Sequence, residues 1–137
     1  VRNRYVGRTF IKSTELEREQ GIQVKLTPIR QNVANLDIIL VDDSIVRGTT
    51  IKRTVKNLKE MGANSVHVRI ASPAIISPES ITLDIQEKKD LIAANYTLDE
   101  MQEIIGCDSL HFLSLEGFYR AVGRRKMYDH YFARSMN

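Results

Sequence analysis

The sequence predicts an α/β domain built on a parallel sheet. Residues 36 to 41 include four consecutive apolar residues, 38 to 41, which are rich in β-branched side chains and stop abruptly at Asp42 and Asp43. Apolar residues then recur at helical spacing, and residues 65 to 71 alternate apolar with polar side chains. A strand, a helix and a second strand within roughly thirty residues are typical of a parallel βαβ crossover.

The composition agrees with this class. The chain has 137 residues, of which 42% are hydrophobic and 27% charged, so it suits one globular domain and excludes disorder, collagen and a disulfide scaffold. Its longest apolar run is far shorter than the roughly 20 residues of a membrane helix, so we expect no membrane partner. With a single cysteine, Cys107, a reducing cytoplasm is the expected compartment.

Residues 1 to 30 are polar, with a short helical candidate at residues 15 to 20 and an edge strand at 23 to 26. Few of these side chains would hold a core, so we expect a mobile surface segment. The chain also begins inside a patterned stretch, at Val1, which indicates a fragment or single domain of a longer protein.

The following elements are better defined. The apolar run at residues 38 to 41, within the strand-forming segment 36 to 41, predicts a central strand covered on both faces. Thr49 or Thr50 can cap the next helix, which Gly62 ends, and residues 65 to 71 predict a half-buried strand. Three further helices are expected at residues 86–94, 98–105 and 115–123, and a short strand is expected at residues 110–113. Thr97 and Glu100 form a capping box, and Ser114 caps the last helix.

The net charge of +3 resides in the tail, because four basic residues and one acid follow Gly123. A basic tail can bind nucleic acid or anionic lipid. So short a tail is more often a solvated terminus, and we do not expect a nucleic-acid partner.

The segment from Asp42 to Thr50 is the candidate binding site, because ligands of open α/β sheets bind at the carboxyl ends of strands. Its backbone N–H groups, the hydroxyls of Ser44, Thr49 and Thr50 and the positive helix N-terminus suit a phosphate dianion. Gly48 would let the backbone approach that ligand closely.

Asp42 and Asp43 suit a different part of the ligand. Two adjacent carboxylates repel each other, and a sugar diol or a magnesium ion would relieve that repulsion. A bare Asp-Asp pair can also be a plain polar turn. The order of strand, acid pair, loop and helix start favours a sugar-phosphate site instead.

This string resembles the phosphoribosyl pyrophosphate (PRPP) signature of the type I phosphoribosyltransferases, and the chain more closely resembles the amidophosphoribosyltransferase family. The matching segments are residues 3–11, 25–26, 42–50, 90–93 and 105–110. The resemblance implies a type I phosphoribosyltransferase-like parallel sheet flanked by helices and incomplete at its N-terminal side. It covers residues 1–123, with an active-site loop region at 1–30 and a PRPP-binding βαβ unit at 36–71. A basic tail follows at 124–137.

The resemblance also implies an enzyme that transfers an amino group to PRPP, giving 5-phosphoribosylamine and pyrophosphate, the first committed step of purine biosynthesis. Asp42 and Asp43 would hold the ribose hydroxyls and Mg²⁺. The 5-phosphate would lie on the residues that follow them: Ser44, Ile45, Val46, Arg47, Gly48, Thr49 and Thr50. A flexible lid would carry Tyr5, Arg8 and Lys25, of which Arg8 and Lys25 would reach the pyrophosphate.

The sequence departs from the family in several respects. The glutaminase domain lies outside this chain, so ammonia would come from that domain or an upstream segment, and we expect an oligomer. Cys107 is interpreted as a packing residue, which leaves no catalytic nucleophile. Many relatives carry an iron–sulfur cluster, but one cysteine cannot hold one, so we expect none. The three histidines fit no metal motif.

Two alternatives stay open. One is a non-catalytic PRPP-binding regulatory module, in which the basic tail would bind nucleic acid. The other is an inactive fragment with a surviving motif. The lid-like stretch at residues 5 to 11 favours the enzyme, because closing over a reactive substrate has no obvious use in a sensor. We expect the isolated chain to turn over poorly, since strands of the family's core lie upstream.

Overall fold

The structure is a computed structural model that describes residues 30–78, 87–124, 127–133 and 135. The predicted helical residues 15–20, the predicted strand at 23–26 and nearly all of the predicted active-site loop region lie outside these ranges. So do residues 79–86.

The described chain forms a three-stranded parallel sheet with helices, which confirms the predicted fold class. The strands lie in the order β1-β2-β3, and Asp37 is in register with Ser65 and His67 with Ser109. The elements are β1 (Asp37–Asp42), α1 (Thr49–Glu60), β2 (Ser65–Ile70), α2 (Ile92–Asn95), α3 (Leu98–Ile105), β3 (Ser109–Phe112) and α4 (Leu115–Val122).

Among the described residues, no helix has both the length and the apolar character needed to cross a bilayer.

The main core lies on one face of the sheet. Alternate residues of β2 are buried, as the half-buried pattern predicted, and they pack with the apolar residues of α1 and α3. The most deeply buried of these side chains are Val55, Val66, Val68, Met101 and Leu110. Both helices pack on the same face of β2 and β3. This packing holds in place the strands from which the loops emerge.

The described residues cover only one face of β1, whereas the sequence predicted a central strand covered on both faces. β1 lies at the edge of the described sheet, and Ile39 and Val41 are 68% and 66% exposed. Ile38 and Leu40 point to the core and are half-buried. A continuous apolar run is typical of strands with two covered faces, and the described residues supply cover for only one.

The start of α1 also differs from the prediction. Neither Thr49 nor Thr50 caps this helix; Gly48 occupies the N-cap position with a left-handed φ of 78°, and no side chain caps the first turn. Both threonines already lie inside the helix, and the carbonyl of Thr50 accepts a 3.0 Å hydrogen bond from the Thr54 hydroxyl. The predicted stop is confirmed, because α1 ends just before Gly62.

The two predicted side-chain caps are confirmed. At α3, the Thr97 hydroxyl accepts from the Glu100 N–H while the Glu100 carboxylate accepts from the Thr97 N–H. At α4, the Ser114 hydroxyl accepts from the Gly117 N–H. Both caps involve residues three positions apart, so local sequence was sufficient to predict them.

The helix expected at residues 86–94 is broken. A 3₁₀ turn spans Lys88–Asp90, and Leu91 is extended with φ −96° and ψ 107° before the short helix α2 begins. Leu91 is fully buried in a second apolar cluster with Ile75, Leu115 and Phe132. Burial of Leu91 therefore determines the backbone here more than helical propensity does.

The tail is not simply a solvated terminus, and that expectation is wrong for Phe132 and Ala133. Phe132 and Ala133 are buried, and Phe132 forms an antiparallel bridge with Ile75. The Ala133 N–H donates to the Ala74 carbonyl at 2.8 Å, and the Tyr119 hydroxyl bonds Asp129. The sequence signal that was overlooked is the apolar pair at 132 and 133 within a basic tail.

Candidate functional site

The candidate site lies where β1 ends and a loop of residues 43–48 leads into α1. The carbonyl of Asp42 accepts a 2.9 Å hydrogen bond from the Ala71 N–H, which joins the end of β1 to the residue after β2. The loop therefore emerges at the carboxyl edge of a parallel sheet, where ligands of such sheets bind.

Within the described part of the chain, the two carboxylates at this edge are held by local hydrogen bonds. Asp42 Oδ1 accepts from the Asp43 N–H at 3.0 Å, and Asp43 Oδ1 accepts from the Ser44 hydroxyl at 3.2 Å. Partial burial raises the pKa of Asp42, and the negative charge of Asp43 adds to that rise against the opposing effect of the backbone hydrogen bond. A positively charged ligand would relieve both unfavourable effects.

No lysine, arginine or histidine of the described ranges forms an ion pair with either carboxylate. Nor do those ranges contain a group of three or more His, Cys, Asp and Glu side chains able to hold a metal ion. The pair can nevertheless supply two hard oxygen ligands, and Mg²⁺ commonly completes its shell with phosphate oxygens and water. The donor set therefore fits Mg²⁺ that arrives with a phosphorylated ligand.

The loop beyond the carboxylates presents an open helix start. Gly48 has φ 78° and ψ −7°, and the first turn of α1 carries no acidic residue and no side-chain cap. Thr49 and Thr50 are exposed beside it. Uncapped N–H groups at a helix N-terminus bind anions, and the neighbouring hydroxyls add donors. This geometry suits the phosphate dianion predicted from the sequence.

Two of the predicted binding residues face inward instead. Ile45 is 3% exposed and belongs to the main core, and Val46 packs against the second apolar cluster. The carbonyl of Val46 accepts a 2.9 Å hydrogen bond from the Ile92 N–H. The side chains of Ile45 and Val46 thus anchor the loop, and only their backbone groups are suited to contact a ligand.

Arg47 forms an ion pair with Asp90, a residue to which the sequence analysis assigned no role. Its Nε donates to Asp90 Oδ1 at 3.3 Å, and its Nη2 lies 3.1 Å from Asp90 Oδ2. This guanidinium holds the pKa of Asp90 below its ordinary value. The two residues are 43 positions apart. Asp90 falls in a segment that resembles the family, but no local pattern indicates its partner.

The sequence analysis also considered residues outside the loop of residues 43–48. Tyr5, Arg8 and Lys25 lie outside the described residues. Cys107 is 7% exposed within the main core, and burial raises the pKa of its thiol, which confirms its interpretation as a packing residue. His67 lies away from the loop, between the hydroxyls of Ser65 and Ser109 on β2 and β3.

Comparisons with known proteins confirm the resemblance to amidophosphoribosyltransferases. The chain is 50% identical over 123 residues to the amidophosphoribosyltransferase of Staphylococcus epidermidis, covering 90% of this chain and 25% of that protein. It is 47% identical over 127 residues to the amidophosphoribosyltransferase of Methanocaldococcus jannaschii, covering 93% and 27%. The chain thus spans about a quarter of the length of these relatives. No family model matches it.

Solved structures give the same result. The glutamine PRPP amidotransferase from Bacillus subtilis, complexed with ADP and GMP, superposes with a TM-score of 0.74 at 44% identity. That match covers 96% of this chain and 29% of the solved one. A structure described as the allosteric regulatory enzyme of purine biosynthesis also gives a TM-score of 0.74, at 46% identity over 92% of this chain. The chain is similar in both sequence and fold to one segment of these enzymes.

Proposed function

We propose that this chain supplies the PRPP-binding part of an amidophosphoribosyltransferase, a glycosyltransferase that converts PRPP and ammonia into 5-phosphoribosylamine and pyrophosphate. The observation that carries the proposal is the juxtaposition at the end of β1. Two adjacent carboxylates without a cationic partner in the described chain lie beside an uncapped helix start that follows Gly48. The similarity to amidophosphoribosyltransferases supports the same ligand.

In this proposal the 5-phosphate binds at the start of α1. The backbone N–H groups after Gly48 and the hydroxyls of Ser44, Thr49 and Thr50 donate to its oxygens. No acidic side chain of the first turn competes for the same donors. Because Ile45 is fixed in the core, the loop is held in place before the phosphate arrives, which reduces the entropy lost on binding.

Asp42 and Asp43 bind the other end of the ribose phosphate. Their carboxylates accept hydrogen bonds from the ribose hydroxyls and can hold Mg²⁺, which when bound neutralises the charge of the departing pyrophosphate. As pyrophosphate leaves, positive charge develops on the ribose ring. Two fixed carboxylates close to that ring stabilise the charge electrostatically, and this is their contribution to the rate.

Other parts of the proposed enzyme lie beyond the described residues. A lid carrying Tyr5, Arg8 and Lys25 would close over PRPP and exclude water that would otherwise hydrolyse it. Ammonia would come from a glutaminase domain or an upstream segment. We place the reaction in the cytoplasm, as the first committed step of purine biosynthesis. The exposed Ile39 and Val41 support further association of this face, within an oligomer or with another domain.

Calorimetric titration of the chain with PRPP and Mg²⁺ tests the site. We expect saturable binding that Asp42→Asn and Asp43→Asn each weaken by at least about tenfold. Asp37→Asn is the matched control, because Asp37 lies on the same strand at its opposite end and accepts from the Ser65 hydroxyl. Equal affinity in the wild type and in both site variants would refute the assignment of these two carboxylates.

Turnover is tested in a hybrid enzyme, in which this chain replaces the matching segment of the Bacillus subtilis amidotransferase. The Bacillus subtilis protein supplies the rest of the enzyme, because the matching segment makes up 29% of its solved chain. With ammonia, PRPP and Mg²⁺ we expect pyrophosphate release, which Asp42→Asn suppresses. A folded hybrid that binds PRPP and releases no pyrophosphate would contradict the enzymatic proposal and favour the non-catalytic module.

A further inference from the structure

We infer that Asp90 is a positioning residue of the phosphate loop. It holds the loop through Arg47, while Ile92, two residues further on, holds the loop backbone. The inference rests on the proposed function, since it concerns the loop that would bind the 5-phosphate. It assigns a role to a segment, residues 90 to 92, that lies outside the signature string.

Three contacts join this segment to the loop. Asp90 engages Arg47 through both carboxylate oxygens, with the two distances at 3.3 Å and 3.1 Å. The Ile92 N–H donates to the Val46 carbonyl at 2.9 Å. The Ile92 side chain packs against Gly48, where a Cβ would come within 2.9 Å of Ile92 Cδ1. Three consecutive loop residues are therefore each fixed by one short segment.

These contacts act on the part of the loop whose geometry matters for an anion. Gly48 requires a left-handed φ, and its conformation sets the direction of the first N–H groups of α1. Residues 43 to 47 of the loop have neither helical nor strand hydrogen bonding. The shape of the loop consequently depends on tertiary contacts, among them the buried Ile45 and the segment at 90 to 92.

The bidentate geometry also assigns Arg47 a different role from that of its neighbours. A planar guanidinium bound through two nitrogens to one carboxylate has a fixed orientation, which a lysine cannot reproduce. Arg47 therefore contributes to phosphate binding chiefly by holding the loop, and Asp90 is its anchor. Asp90 does not touch the ligand in this arrangement.

A double-mutant cycle tests this coupling in the full chain, with PRPP and Mg²⁺ as the probe. We expect Asp90→Asn and Arg47→Lys each to lower the affinity about fivefold, and the double variant to lower it no further. Glu87→Gln is the matched control, because Glu87 is an exposed acid of the same segment that pairs with Lys89. Additive losses, or no loss in Asp90→Asn while the wild type binds, would overturn the inference and leave the proposed function intact.

Amide hydrogen exchange without ligand separates the two proposals. In Asp90→Asn we expect faster exchange at the Ile92 N–H, which donates to the Val46 carbonyl, and unchanged exchange at Val66 and Val68 in the core strand. Glu87→Gln should change neither region. If the wild type binds no PRPP, the proposed function fails, yet this exchange pattern still decides whether Asp90 holds the loop. Unchanged exchange at the Ile92 N–H in Asp90→Asn would refute the inference.

Discussion

Carboxylates at the two ends of the sheet have pKa values shifted in opposite directions. At the amino end, Asp108 precedes β3 and accepts a 2.7 Å hydrogen bond from the Val66 N–H, while Lys59 Nζ lies 3.1 Å away. The Val66 N–H, and then Lys59, hold the pKa of Asp108 below its ordinary value. At the carboxyl end, burial and the adjacent charge of Asp43 raise the pKa of Asp42.

This difference distinguishes a structural acid from a binding acid. The charge of Asp108 is compensated by groups of the fold, so a ligand would have to displace existing partners. The charge of Asp42 is only partly compensated, so a cation or a sugar hydroxyl would improve its environment. A carboxylate that the fold leaves unfavourable at a sheet edge is therefore a better site candidate than one in an ion pair.

The largest effect that would test this contrast is expected at Asp108. Asp108→Ala removes the acceptor of the Val66 N–H on a fully buried residue, together with the Lys59 partner. We expect the free energy of unfolding to fall by about 2 kcal/mol, measured by urea denaturation. Asp108→Asn should lose less, because its amide oxygen can still accept from Val66.

Glu103→Gln is the control for that measurement, since Glu103 is an exposed acid on α3. We expect its free energy of unfolding to stay within about 0.5 kcal/mol of the wild type. A similarly small change in Asp108→Ala would mean that the amino-end carboxylate is not structural, and the contrast between the two ends would then fail.

A second test uses pH, because the two acids contribute with opposite signs. The folded pKa of Asp108 is lowered, so its stabilisation is present above the unfolded value of 3.8 and is lost as the pH falls through the folded pKa. We expect the wild type to lose stability below about pH 4 more steeply than Asp108→Asn does. Urea denaturation of both proteins between about pH 6 and pH 2.5 measures this, and parallel curves would contradict it.

Features of the fold that depend on neighbouring residues were predictable from the sequence, and those that depend on tertiary packing were not. The caps at Thr97 and Ser114 and the alternation of β2 depend on residues a few positions apart, and the sequence predicted all of them correctly. The pair of Asp90 with Arg47 depends on tertiary packing across 43 residues, and no sequence pattern indicated it.

The differences between prediction and structure have two origins. The apolar run of β1 is typical of a strand with two covered faces, and the described residues, in a chain that spans about a quarter of its relatives' length, cover one of them. Thr49 and Thr50 are of a residue type that caps helices, whereas the structure places Gly48, with a left-handed φ, at the N-cap position. In the candidate site, the order of residues predicts a sugar-phosphate site, but the inward orientation of Ile45 required the fold.

The smallest expected effect is the change in stability of Asp42→Asn, at the carboxyl end of the sheet. Because the folded pKa of Asp42 is raised, its protonated form favours folding below the unfolded value of 3.8, and this advantage is lost as the pH rises through the folded pKa. Asp42→Asn, which lacks the charge, should therefore be more stable than the wild type at pH 7 by about 0.3 kcal/mol, since solvent screens a half-buried group. At pH 3 the difference should vanish. Paired urea denaturation at the two pH values measures it, with Asp37→Asn as the control at the opposite end of β1. A loss of stability in Asp42→Asn at pH 7 would show that the fold stabilises this carboxylate, as it does Asp108. Asp42 would then be a structural acid and not a binding acid.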